Sequence, residues 1–133
     1  QIGNLKKKLR ILIADDVHET RRNTRLMIAA IENTEVVAIA SNGRQAVEMT
    51  EEQHPDIVIL DIRLPDSNGL SLLKTIKESS PSVAMIMATG CPDVQSGVEA
   101  MQMGALAYLE KPVDMDSLKT LMRGTAPAAA QIQ

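Results

Sequence analysis

Three apolar runs, at residues 11–14, 57–60 and 83–88, and a fourth at 106–109 are too short for helices, and each stops at or just before polar residues. Runs of this length without alternation read as strands buried on both faces, as in a parallel sheet. The first strand is predicted over 10–16, and Val17, Thr20, Thr24, Met27, Ile28 and Ile31 then give a helical face. A second strand is expected over 35–40, and Ser41-Asn42-Gly43 forms the turn into a helix reaching Gln53. His54-Pro55 ends that helix, because the residue before a proline avoids the helical region. The third strand is read over 56–61, with a loop at 64–69 leading to a helix that carries Leu70, Leu73 and Ile76 on one side. Ser80-Pro81 breaks it, and the fourth strand follows over 83–88. Val94, Val98 and Met101 are expected to face inward from the next helix, which Gly104-Ala105 terminates. A short strand to Leu109 and a helix from Asp114 with Met115, Leu118, Leu121 and Met122 complete five β/α units.

That alternation predicts an α/β fold around a parallel sheet. Helix crossovers bring the carboxyl ends of such strands to one edge, where open α/β sheets bind ligands. The polar residues ending the apolar runs, Asp15, Asp16, Asp61, Thr89 and Lys111, therefore converge on one site. Three carboxylates at close quarters repel one another, and a divalent hard cation and the Lys111 ammonium would relieve this. Mg2+ suits such a set, because it takes one or two carboxylates together with waters and phosphate oxygens. A metal, a lysine and a hydroxyl around one carboxylate are also what phosphoryl transfer requires, with Asp61 as the nucleophile.

Composition narrows the alternatives. The chain has 133 residues, 44% of them hydrophobic, which is enough for one core. Its net charge of -3 gives no basic face for nucleic acid, and Lys6-Lys7-Lys8 with Arg10 reads as a solvated edge. The single cysteine, Cys91, excludes an internal disulfide and a Cys-rich zinc site. With no run near the roughly 18 apolar residues of a membrane span, a cytoplasmic location is expected. Phe and Trp are absent and Met occurs eight times, so Met85, Met87, Met101 and Met122 are expected to fill core volume. Tyr108 is the only aromatic residue and lies three positions before Lys111. His18 and His54 have no ligand spacing and read as surface residues.

Asp15-Asp16, Asp61, Thr89 and Tyr108-Leu109-Glu110-Lys111-Pro112, in this order and at these intervals, resemble the receiver domain of two-component response regulators. The resemblance covers residues 10–123 and extends to Asn42-Gly43, Gly69 and the stretch from Ala100 to Tyr108. It implies a flavodoxin-like, doubly wound five-stranded parallel sheet, (βα)5. It implies that Asp61 is the phosphoacceptor for a sensor histidine kinase or phosphotransfer protein. Mg2+ would be bound by Asp16 and Asp61, by Asp15 through a water, and by the Arg63 carbonyl. Lys111 would pair with the phosphate and Thr89 would donate its hydroxyl to it. Thr89 and Tyr108 would form the switch that alters the face of the fourth helix, fifth strand and fifth helix, which is also the expected dimer surface.

By the same resemblance Arg63 and Cys91 would flank the phosphoryl group and affect its lifetime, while Val113 stands where the family often has an aromatic residue. Val17 after the acidic pair likewise bears on packing beneath the site. A haloacid-dehalogenase-like phosphatase would need a second Asp where Arg63 stands, and an FMN carrier would need a hydroxyl-rich phosphate loop where Asp15 and Asp16 stand. The third rival is a pseudo-receiver that only docks, without phosphorylation. Residues 1–9 are read as an arm, 10–123 as the receiver and 124–133 as an Ala-Pro-rich linker or tail. The expectation is an N-terminal receiver cut from a longer protein, whose output, in cis or through a protein partner, controls transcription, with no nucleic-acid or membrane binding by the domain itself; the alternative is a stand-alone receiver that docks onto a partner. The geometry around Lys111, which must turn back toward the acids directly after a strand, predicts a cis Lys111-Pro112 bond.

Overall fold

The computed structural model describes residues 8–125. Along the chain lie β1 (Leu9–Ala14), α1 (His18–Ala29), β2 (Thr34–Ala40), α2 (Gly43–Gln53), β3 (Ile57–Asp61), β4 (Arg63–Leu64) and β5 (Ser67–Asn68). They are followed by α3 (Gly69–Ser79), β6 (Ala84–Thr89), α4 (Val94–Gln102), β7 (Ala107–Glu110) and α5 (Met115–Arg123). Five strands form a parallel sheet in the order β2-β1-β3-β6-β7, the doubly wound arrangement expected. The leading arm before Lys8 and the tail after Thr125 lie outside the described residues, whereas Leu9 already belongs to β1 and is buried.

Successive side chains of a strand point to opposite faces, and the core divides accordingly. Leu12, Val58, Leu60, Met85 and Met87 pack with Leu72, Leu73 and Ile76 of α3, Ala46 of α2 and Ala100 of α4. Ile11, Ile13, Ile57, Ile59 and Ile86 pack on the other side with Ile28 of α1 and Leu118 and Met122 of α5. Val113 joins this second cluster. Burial of the central strands on both faces explains why they read as unbroken apolar runs.

The structure corrects three expectations. Val94, Val98 and Met101 face solvent at 84%, 49% and 49% exposure, and Met101 fills no core volume. The sheet-facing side of α4 is instead made by Ala100, which is fully buried, and by Gly97 against the Tyr108 ring. These small side chains let the helix approach closely, so its larger apolar residues are displaced outward. Val17 is the exposed residue before α1, not part of its inner face, which buries Thr24 and Ile28. Finally, the loop after β3 contains a two-stranded antiparallel turn, β4 with β5.

That turn fixes the ends of two helices. Asp66 accepts hydrogen bonds from the Gly43 and Arg44 N–H groups at 2.7 and 3.1 Å, while the Asn42 side chain accepts from Gln45 N–H at 2.8 Å. The Gly43 hydrogen bond is the main cause holding the Asp66 carboxyl below its ordinary pKa. A Cβ at Gly69 would lie 2.6 Å from Ile62 Cα, so only glycine lets α3 begin against that backbone. The Asn42-Gly43 and Gly69 positions thus shape the loop that follows Asp61.

Candidate functional site

The strand ends bring the expected residues together. Ala14 pairs with Leu60 and Asp61 with Ala88, so the ends of β1, β3 and β6 lie side by side. Asp15 continues from β1 with its N–H donating to the Ala40 carbonyl at 3.0 Å. Past the end of β7, Lys111 N–H donates to the Thr89 carbonyl at 2.8 Å, and the Lys111-Pro112 peptide bond is cis, as the sequence predicts.

Lys111 Nζ donates to Asp15 Oδ2 at 2.8 Å and to Asp61 Oδ2 at 3.0 Å. Both carboxylates are buried, at 3% and 7% exposure, so this bridge lies where water screens it weakly. Burial acts to lower the lysine pKa, but hydrogen bonds and charge from Asp15 and Asp61 more than offset it and hold the ammonium above its ordinary 10.5. Asp61 Oδ1 accepts the Arg63 N–H at 3.0 Å. Asp15 Oδ1 accepts the Val17 N–H at 2.9 Å, and Arg21 donates to the Asp15 carbonyl at 2.9 Å.

Asp16 is exposed beside this bridge, and Asp15, Asp16 and Asp61 each offer an oxygen within 4.8 Å of the others. Three carboxylates against one ammonium leave an excess of negative charge, and an all-oxygen donor set open to solvent through Asp16 fits a hard divalent cation that keeps several waters. Arg63 is exposed, with its main chain adjoining Asp61.

Thr89 is buried at the end of β6, and its Oγ1 accepts the Cys91 N–H at 3.1 Å. Tyr108 lies one strand over, in register with Met87, while Thr89 pairs with Glu110. The Tyr108 hydroxyl accepts the Asp93 N–H at 3.2 Å at the start of α4. Cys91 is free and exposed, and His18 and His54 are exposed as well. One member of the site went unrecognised in the sequence. Thr20 Oγ1 donates to Asp15 Oδ2 at 2.7 Å, although the helical pattern places it on an inner face. A hydroxyl in the first turn of a helix that follows a strand-end acid is the signal that marks it.

Comparison with known proteins decides the family. Residues 11–123 match the model of the response regulator receiver domain. The chain belongs to that family. It is 41% identical over 86 residues to the transcriptional regulatory protein ZraR of Escherichia coli K12, covering 65% of this chain and 20% of ZraR. It is 38% identical over 110 residues to the transcriptional regulatory protein LnrK of Bacillus subtilis, covering 83% of this chain and 50% of LnrK. The chain thus spans half or less of the length of these relatives. A CheY-like receiver domain protein from Methanospirillum hungatei superimposes with a TM-score of 0.80 at 30% identity, over 90% of this chain and 93% of that one. The protein contains a signalling domain with a receiver fold, and among the described residues no helix is long and apolar enough to cross a membrane.

Proposed function

We propose that Asp61 accepts a phosphoryl group from a phosphohistidine, on a histidine kinase or a phosphotransfer protein, and that Mg2+ is the cation of the acidic cluster. The observation that carries this reading is the Lys111 ammonium bridging Asp15 and Asp61 beside a third carboxylate. A carboxylate oxygen of Asp61 forms the new P–O bond as the P–N bond of the donor breaks. Asp16 and Asp61 would hold the cation directly, Asp15 through a water, and Arg63 by its main-chain carbonyl. When bound, the cation neutralises charge on the phosphoryl oxygens. Lys111 then turns from the carboxylates to the phosphate, and Thr89 exchanges its Cys91 contact for a hydrogen bond to a phosphate oxygen. The domain catalyses its own phosphorylation and dephosphorylation and is not a turnover enzyme.

Movement of Thr89 clears space for Tyr108 and so alters the surface of α4, β7 and α5. The exposed Val94, Val98, Met101 and Leu106 give that surface an apolar character suited to a partner or a second copy. Two-state switching of this kind needs only that the phosphate bind one conformation better. The transcriptional relatives support an output in cis or on a partner protein that controls transcription. Nucleic-acid contact then belongs to that output, and the domain acts in the cytoplasm.

Incubation with radiolabelled acetyl phosphate separates the readings. A receiver takes up label to about one phosphoryl group per chain in a Mg2+-dependent manner. A docking-only pseudo-receiver stays unlabelled, and a phosphatase releases phosphate continuously.

A further inference from the structure

We propose that Thr20 is a positioning residue for Asp15, and that its hydroxyl sets how well the acidic cluster binds Mg2+. This rests on the functional reading above. Thr20 Oγ1 lies 2.7 Å from Asp15 Oδ2 and 3.2 Å from the Val17 carbonyl. A hydroxyl carries one proton, and the shorter contact to a charged acceptor takes it.

Asp15 is held by three side-chain contacts. Lys111 and Thr20 share Oδ2, and the Val17 N–H occupies Oδ1. Lys111 serves Asp61 as well, and as a cation it is the member that yields when a metal ion enters the cluster. Once it does, Thr20 and the Val17 N–H remain to fix the carboxylate. The Val17 amide alone leaves the carboxylate free to rotate about its Cβ–Cγ bond, whereas the hydroxyl pins the second oxygen. Thr20 sits on α1, which is anchored independently by Thr24 and Ile28 in the core and by Arg21 on the Asp15 carbonyl. Asp15 is therefore oriented against a rigid element. Partners that orient a metal-binding side chain commonly change metal affinity by about 10–100-fold when removed.

Calorimetric titration of the full chain with Mg2+ tests this, using Thr20→Val, Thr20→Ala and Thr20→Ser. The two variants without a hydroxyl should bind about tenfold more weakly or worse, and Thr20→Ser should stay near wild type. The rise in melting temperature on adding Mg2+ should shrink in the same order, which a purely structural loss, lowering both melting temperatures equally, would not produce. Wild-type affinity in Thr20→Val and Thr20→Ala, or a serine variant as weak as valine, overturns the assignment. Absence of Mg2+ binding by the wild-type chain overturns both the assignment and the reading beneath it.

Discussion

The Tyr108 ring lies against the backbone of α4 at Gly97, where an added Cβ would stand 3.2 Å from Tyr108 Cδ2. The ring thus occupies the gap left by a missing side chain, and its hydroxyl accepts the N–H of Asp93, the residue that caps the same helix. Gly97→Ala opposes two effects. Alanine favours the helix by about 1 kcal/mol, while the new methyl presses on the ring. Net stability should change by less than about 1 kcal/mol, and the Tyr108 ring and Asp93 amide resonances should shift. An unaltered NMR spectrum at both positions would show that Gly97 does not control the ring.

Lys111→Met should leave the buried Asp15 and Asp61 carboxylates without their counter-charge. Removing one partner of such a bridge costs about 3 kcal/mol, and added Mg2+ should restore part of it by binding the folded state. The pH dependence follows from the raised lysine pKa. Its stabilisation is fully present below the unfolded value of 10.5 and is lost as pH rises through the higher folded value. The stability gap between wild type and Lys111→Met, read from urea unfolding, should therefore be flat at neutral pH and narrow above 10.5. A constant gap through that range would contradict the ion-pair account.

Thr89→Ala removes the acceptor for the Cys91 N–H but leaves the acids and Lys111 in place. Asp61 should still take up phosphate, while the conformational response weakens because the hydroxyl no longer favours the active state. Comparison of apo and beryllofluoride-bound forms by NMR checks this. Equal shift changes around Tyr108 in wild type and variant would mean that Thr89 and Tyr108 are not coupled.

Gly69→Ala forces a methyl into the Ile62 backbone at 2.6 Å. Overpacking against main chain should cost about 1–3 kcal/mol. It should also slow phosphorylation, since Ile62 directly follows Asp61 and precedes the Arg63 amide that holds it. A variant with wild-type urea midpoint and labelling rate would refute the proposed fit.

Much of this was legible in the sequence because strands buried on both faces appear as continuous apolar runs, and the polar residue after each run marks the functional edge. That pattern marks Asp15, Asp61, Thr89 and Lys111. Periodicity in α4 reveals an apolar stripe but not which way it faces. Val94, Val98 and Met101 point outward because Gly97 and Ala100, weak signals in any hydropathy pattern, make the close contact with the sheet. The β4–β5 turn is too short to have a period, and its Asp66 acts on a helix 23 positions away in sequence. Thr20 was hidden because a threonine on a helical face is ambiguous until the neighbouring carboxylate is located.

Locating the phosphoryl group on the chain distinguishes Asp61 from every other acceptor. The full chain would be treated with acetyl phosphate and Mg2+, the acyl phosphate trapped by borohydride reduction, and the modified residue mapped by peptide mass spectrometry. Assignment of Asp61 as the acceptor requires reduction at position 61 in the wild type, none at any aspartate in Asp61→Asn, and loss of the signal in excess EDTA. Modification at another aspartate in the wild type, or undiminished modification in EDTA, would contradict it.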